Sequence, residues 1–388
     1  MIAATDTPPK LVRTFVVAAL VVVFLALDLG LGTIFNPKIV GSRNLYYHHD
    51  IPPNVSGQKE WGKVAYPFSS NSLGFADRGV REIPLASKSK RLLLMGDSFV
   101  EGVGLPYDRT FAGILDKRLA SQGIEILNAA VIHYSPKLYY LKTKYLLEKV
   151  GLKFDQLMVF IDISDIQDEI FFEAFEPYDG IAQPDDSLRR RLGFLLRRHS
   201  LIYSVLHKTG AIPWLDRVLS GSPGHSLDKD LRQRWGERLQ MEDLNWREVS
   251  ADSPLYSEEF QKNFQTEKDN WTLSEDIFRR WGARGLALAA EHMDRLAQLC
   301  RANNITLTVV VYPWPQQIFE RDINSRQQVY WRDFCAARGI GFIDLFPAFI
   351  NDRPAVEIYE KYFILNDVHW SEGGHRLVAD LLSPQISR

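Results

Sequence analysis

The stretch RLLLMGDSFVEGVG, from Arg91 to Gly104, decides how the rest of the chain is read. Leu92, Leu93, Leu94 and Met95 form an unbroken apolar run, the pattern of a strand buried on both faces of a parallel sheet. Gly96-Asp97-Ser98 follow at once. They put a hydroxyl just past the carboxyl end of that strand, where open α/β sheets hold their ligands. Gly102 and Gly104 keep the next loop small, so that a substrate can approach the backbone. A Gly-Asp-Ser tripeptide alone is an ordinary turn, and its weight depends on what surrounds it.

Outward from this strand the pattern alternates. Thr110 to Gln122 reads as a helix with Phe111, Ile114, Leu115 and Leu119 on one face, capped by Thr110 or Asp108. Further strands are expected over Glu125 to Val131, Gln156 to Asp162, Ile305 to Tyr312 and Ile340 to Leu345. Helices are expected over Lys137 to Val150, Leu286 to Asn303 and Asn324 to Arg338. The alternation predicts an α/β chain, a three-layer doubly wound parallel sheet. It fails between about Ile170 and Ala283, a length unsuited to a structureless loop. We read this insertion (about 170–283) as a mostly helical subdomain bordering the site. Its tryptophans Trp214, Trp235, Trp246, Trp271 and Trp281 suit core packing, with sugar stacking as the functional alternative. Arg189, Arg190, Arg191, Arg197 and Arg198 suit a solvated basic face or contact with anionic headgroups.

The second informative stretch is LNDVHWSEGGH, Leu365 to His375, followed by an amphipathic segment to Leu382. Serine is a poor nucleophile unless a base stands within hydrogen-bond reach and an acid fixes the tautomer of that base. His369 and Asp367 supply both, with Val368 between them so that their side chains converge on one side of an extended segment. His375 suits capping or packing of the last helix. Trp370 is either a wall of an acyl pocket or a core anchor.

The order of Ser98, then Asp367 and His369 close together at the far end, resembles the SGNH (GDSL-type) hydrolase superfamily. The membrane-anchored, polysaccharide-modifying branch with alginate O-acetyltransferase-like proteins looks closest, because Asp367 to His375 matches its Asp-x-His-Trp block and following Gly-His pair. The resemblance implies a flavodoxin-like SGNH fold and a catalytic triad of Ser98, His369 and Asp367. It also implies an oxyanion hole of the Ser98 N–H, a donor from the second block and a donor from the third. The second block falls in Asn128 to Tyr134, with His133 as the expected contributor, and the third in Asp162 to Asp165, with Ser164 in the place of an asparagine. Related sequences carry glycine where Ala130 and His133 stand. Asp162 would oppose an oxyanion if ionised.

The N-terminus carries an apolar run from Phe15 to Leu27 that resumes after Asp28 as far as Phe35. With Thr14 this is about the roughly 20 residues that cross a bilayer. Lys10 and Arg13 before it favour a cytoplasmic N-terminus and an extracytoplasmic remainder, periplasmic in a Gram-negative cell. A cleaved signal peptide is the rival reading. The expected division is 1–35 as tip and anchor, 36–90 as a turn-rich connection, and 91–388 as an SGNH-like catalytic domain. Within the connection, Tyr46, Tyr47, His48, His49 and Asp50 look like metal-ligand material, but adjacent histidines on an extended segment face opposite ways, which favours a surface or interface role. Asn71 to Phe75 has turn chemistry around an aromatic anchor, placed beside the site or at the sheet edge.

A net charge of −2 over 388 residues gives no ground for a nucleic-acid partner. Cys300 and Cys335 lack metal-like spacing and read as buried thiols. No cofactor and no metal are expected. The functional expectation is a membrane-anchored serine esterase or O-acyltransferase acting on acyl esters, acetyl above all, of glycans or other small ester substrates. The alternative is a weak or inactive SGNH-fold scaffold with polysaccharide-assembly partners. A lipase or thioesterase is a third reading and would need an apolar acyl tunnel.

Overall fold

The computed structural model describes residues 9–35, 41–62, 64–177, 200–202, 206 and 268–386. The chain divides into two compact units, Met1–Val40 with Gln183–Arg234, and Gly41–Ala182 with Trp235–Arg388. Of the residues expected in the insertion, Arg189, Arg190, Arg191, Arg197, Arg198, Trp214, Trp235 and Trp246 lie outside the described ones.

In the first unit, α1 (Pro9–Phe35) contains the apolar stretch Thr14–Gly32, long and apolar enough to be a membrane span or a signal sequence. Its side chains from Phe15 to Leu27 are exposed. Asp28, the one carboxylate in the stretch, is buried and accepts a hydrogen bond from the Ile202 N–H at 3.1 Å.

The second unit is built on an eight-stranded mixed sheet. Two short strands, β1 (Ser42–Asn44) and β2 (His48–Asp50), pair separately as a hairpin. The sheet comprises β3 (Ser56–Trp61), β4 (Val64–Ser70), β5 (Ala76–Asp77), β6 (Lys90–Met95), β7 (Ile124–Asn128), β8 (Gln156–Ile161), β9 (Thr306–Val311) and β10 (Gly341–Asp344). Their order across the sheet is β10-β9-β8-β6-β7-β5-β4-β3. The first five are parallel neighbours, and β5, β4 and β3 extend the β7 edge antiparallel. Leu92 to Met95 on β6 are fully buried, as a strand with neighbours on both edges requires.

Two expectations are corrected here. The sheet is not wholly parallel, and the stretch 36–90 is not merely a connection, because it supplies five strands. The reason is local: β3 reads Ser-Gly-Gln-Lys-Glu-Trp, half-exposed and polar, and β4 carries Pro67, so neither shows a buried-strand pattern.

The parallel strands end in loops that lead to helices. Ser98–Glu101 forms a single turn, α2, and Phe111–Leu119 forms α3, whose first turn is capped by Thr110 Oγ1 accepting from the Gly113 N–H at 3.2 Å. Further helices are α4 (Pro136–Tyr145), α5 (Asp165–Phe172), α6 (Ala283–Ala302), α7 (Pro315–Phe319), α8 (Arg326–Ala336), α9 (Phe346–Phe349), α10 (Ala355–Tyr362) and α11 (Glu372–Ile386). The last of these packs on α3, while α6 packs on α4 and α5. The α5–α6 approach is so close that a Cβ at Gly285 would collide with the Ile166 carbonyl. Cys300 on α6 and Cys335 on α8 are free and buried, and burial pushes both thiols up to about 12.

The β1–β2 hairpin is tied to the loop after β7 by buried polar contacts. Lys142 Nζ donates to Asp50 Oδ1 at 2.8 Å and to the Ala129 carbonyl at 2.9 Å. Tyr47 donates to Asp50 Oδ2 at 2.7 Å, and Tyr134 donates to the His49 carbonyl at 2.6 Å. The His49 ring reaches the Ile132 carbonyl through Nε2 at 2.8 Å. His49 thus serves a clamp on the chain's own loop, with the His48 ring 2.8 Å from it, Nδ1 to Nδ1. Asn71 turns the chain from β4 to β5, accepting from the Leu73 and Phe75 N–H groups.

Candidate active site

Ser98 leaves β6 between the ends of β7 and β8, the point where the order of the parallel strands reverses and α/β sheets open a crevice. Asp97 caps the turn by accepting the Phe99 N–H at 3.0 Å. Ser98 is the first residue of α2, so its N–H is among those that no intrahelical carbonyl can satisfy.

The C-terminal loop brings two further groups to this hydroxyl. His369 Nε2 lies 2.8 Å from Ser98 Oγ. His369 Nδ1 lies 2.5 Å from Asp367 Oδ1, which also accepts the His369 backbone N–H at 3.0 Å. Serine, imidazole and carboxylate therefore form one continuous hydrogen-bonded line. Burial pushes the Asp367 carboxyl up, but the hydrogen bonds and charge of His369, with the Trp61 N–H, outweigh it and hold the group below the usual carboxylate range.

The loop is stiff for identifiable reasons. Phe363 and Trp370 form an antiparallel bridge across it, and the Ile364 N–H donates to the His369 carbonyl at 2.8 Å. Asn366 takes a left-handed turn at φ 61°. Trp370 is fully buried, stacked on Phe349 and edge-on to Phe99, so it is a core anchor rather than a pocket wall. His375 is buried and accepts the Phe111 N–H through Nδ1 at 3.2 Å. Burial, with the nearby His369, pushes its imidazole down to about 3, which keeps it neutral and fixes it as a packing group.

One contributor escaped the sequence reading. Trp61, at the end of β3, donates from Nε1 to Asp367 Oδ2 at 2.7 Å, and its ring stands edge-on to His369 with centroids 4.7 Å apart. Lys59, two residues earlier on the same side of the strand, pairs with Glu101 at 2.5 Å, and Glu101 in turn accepts the Ile132 N–H at 3.0 Å. The only hint in the sequence was a tryptophan at the end of a polar run.

The expected oxyanion donors fare less well. Ser164 Oγ donates its single proton to Asp162 Oδ1 at 2.6 Å, and its N–H donates to the same oxygen at 2.7 Å. Asp162 captures the group that stands in the place of an asparagine amide, so Ser164 is not a free donor. The His133 imidazole is 63% exposed and faces Asp168 Oδ2 at 3.9 Å. Its backbone, however, sits at φ 62°, in the left-handed region that favours glycine. Ala130 does not, and its N–H is taken by Asn128 Oδ1 at 3.2 Å.

Behind the serine lie three buried carboxyl groups, Asp97, Asp162 and Asp165, with one oxygen from each within 4.8 Å of the others. By proximity alone they would be the cation ligands of choice. Most of their oxygens are already engaged, Asp165 Oδ1 being the exception. Asp162 Oδ2 accepts from Trp314 Nε1 at 2.7 Å, and Asp165 Oδ2 accepts from Tyr139 at 2.8 Å and the Asp162 N–H at 3.0 Å. Trp271, for which core packing is the expectation and sugar stacking the alternative, is fully buried and donates to the Ile163 carbonyl at 2.9 Å, bracing this turn from within the core.

No family model matches the chain, and no curated protein matches it. Among solved structures it is similar to TesA, with 12% identity and a TM-score of 0.39 over 76% of this chain and 98% of that one. It is similar to a GDSL-like lipase from Bacteroides thetaiotaomicron, with 10% identity and a TM-score of 0.37 over 78% and 91%. It is also similar to an acetyl xylan esterase from Geobacillus stearothermophilus, with 12% identity and a TM-score of 0.35 over 78% and 97%.

Proposed function

We propose that the protein is a serine esterase or O-acyltransferase of the SGNH type, held at a membrane by α1 with its sheet-bearing unit outside the cytoplasm, and acting on acyl esters of glycans. The observation that carries this is the unbroken line from Ser98 Oγ through the His369 ring to Asp367. His369 Nε2 takes the serine proton as Oγ attacks the ester carbonyl. Asp367 holds the Nδ1 proton in place and balances the imidazolium that forms. The Ser98 N–H stabilises the oxyanion. The imidazolium then returns its proton to the leaving alkoxide, and an acyl-serine remains. Water, or a sugar hydroxyl deprotonated by the same imidazole, attacks the acyl-serine and frees Ser98. Which of the two wins depends on how far water is kept out while a sugar is seated. The glycan and acetyl preference follows the resemblance of the Asp367 to His375 block.

A second reading has its own observation. The capture of Ser164 by Asp162 removes a side-chain donor from the oxyanion position, which favours a slow enzyme or a scaffold in polysaccharide assembly. Labelling with a fluorophosphonate probe separates the two. Labelling of the wild type that disappears in Ser98→Ala supports the enzyme. Wild type that stays unlabelled, or labelling that survives Ser98→Ala, removes it and leaves the scaffold.

A further inference from the structure

Ser98 Oγ lies between two groups, His369 Nε2 at 2.8 Å and Asp97 Oδ2 at 3.0 Å. A serine hydroxyl has one proton to give. If Asp97 receives it, the imidazole has nothing to accept from serine. With a neutral imidazole, the form that can act as a base, both contacts are satisfied together in one arrangement only: Asp97 Oδ2–H donates to Ser98 Oγ, Ser98 O–H donates to His369 Nε2, and His369 Nδ1–H donates to Asp367 Oδ1. We propose that Asp97 is a neutral carboxylic acid whose proton points at Ser98 Oγ and thereby directs the serine's own proton to His369. The proposal deepens the Ser-His-Asp reading and rests on it.

The surroundings of Asp97 supply the reason. The turn between β8 and α5 contributes Asp162 and Asp165, each within 4.8 Å by a carboxyl oxygen. One turn further along α5 stands Asp168, with Lys268 Nζ at 4.0 Å and the His133 ring at 3.9 Å. The end of β9 contributes the Tyr312 hydroxyl, 3.4 Å from Asp97 Oδ1. Tyr139 on α4 is spent on Asp165, and the C-terminal loop reaches Asp97 only through Ser98. No lysine or arginine is ion-paired to any of the three among the described residues.

Three ionised carboxylates cannot share so small a dry space without a cation. Asp162 is the member fitted to keep a charge, because it accepts from Ser164 N, Ser164 Oγ and Trp314 Nε1. Burial first, then the charge of Asp162, holds Asp97 well above the usual carboxylate range, and burial raises Asp165 likewise. Asp165 Oδ1 has no hydrogen-bond donor beside it to stabilise a negative charge.

Infrared spectroscopy of the purified full-length protein tests the idea without turnover, so its outcome is independent of fluorophosphonate labelling. The expected result is a protonated-carboxyl carbonyl band at neutral pH that loses one group's intensity in Asp97→Asn. Asp269, which burial pushes up to about 8, contributes a background that this variant leaves in place. In the wild type the Asp97 part of the band disappears reversibly at alkaline pH. In Asp162→Asn, which removes the neighbouring charge, it disappears at lower pH. A spectrum of Asp97→Asn identical to wild type, or a titration unmoved by Asp162→Asn, overturns the proposal. Should Asp97→Asn fail to fold, the wild-type titration and its shift in Asp162→Asn decide alone.

Discussion

Trp61 Nε1 and Asp367 Oδ2 are 2.7 Å apart, joined across 306 positions of sequence. The carboxylate that fixes His369 is thus itself fixed, by an indole from a strand outside the parallel core. A hydrogen bond to a charged group is worth about 1.5–3 kcal/mol net. Asp367 keeps some solvent contact, its side chain being 22% exposed, which puts the effect near the lower end.

Trp61→Phe keeps a ring beside His369 and deletes the N–H. We expect kcat/KM on a small aryl ester to fall about tenfold, with KM little changed, because the lost bond orients the base and does not bind substrate. Trp61→Ala should lose more, since the ring wall goes as well. Steady-state kinetics with a melting curve for each variant check this. An unaltered kcat in Trp61→Phe would show that water replaces the indole without loss.

Asp367→Asn should leave the fold intact and lower fluorophosphonate labelling by about four orders of magnitude, because an amide presents the imidazole with the wrong tautomer. Labelling rates with circular dichroism measure both halves of the statement.

His133 pays a conformational cost at φ 62° that glycine would not. His133→Gly is expected to leave stability unchanged or raise it by up to about 1 kcal/mol, and His133→Val to lower it by about 1–2 kcal/mol. Chemical denaturation midpoints at one pH decide it. Equal midpoints for Gly and Val would mean that the loop relaxes out of the left-handed region.

Acid stability should depend on His375. Its folded value is lowered to about 3, so the unfolded chain takes up the proton first as pH falls. The stabilisation is whole above the ordinary imidazole value of about 6.5 and drains away between there and pH 3, on the order of 5 kcal/mol in total. His375→Gln keeps an acceptor for the Phe111 N–H and should flatten this slope. The raised Asp97 and Asp165 act in the opposite direction, since the folded state holds protons that the unfolded state gives up, so their stabilisation is lost as pH rises through their folded values. Thermal melts across a pH series for wild type and His375→Gln separate the two slopes.

Much of this was open to reading because chemistry-bearing side chains lie in short blocks. Leu92 to Ser98 specify a buried strand and a hydroxyl at its end through apolarity and glycine alone. Asp367 and His369 declare themselves by spacing. Trp61 could not be found in that way, since β3 is polar, short and at a sheet edge, and its partner is dictated by tertiary packing. The antiparallel extension was hidden for the same reason, with Pro67 masking β4. Whether Ser164 is a free donor depends on which way the Asp162 carboxylate turns. Both residues are visible in the sequence, but their hydrogen bond is not.

The Ser98–His369 contact closes a loop of 271 residues, and Trp61 must reach further still. Non-local pairings of that kind form late, after the entropy of closing the intervening chain has been met. A polypeptide still emerging from the ribosome therefore carries the nucleophile long before it carries the base. The proposed catalytic pair is assembled only once the loop carrying Asp367 and His369 has reached Ser98.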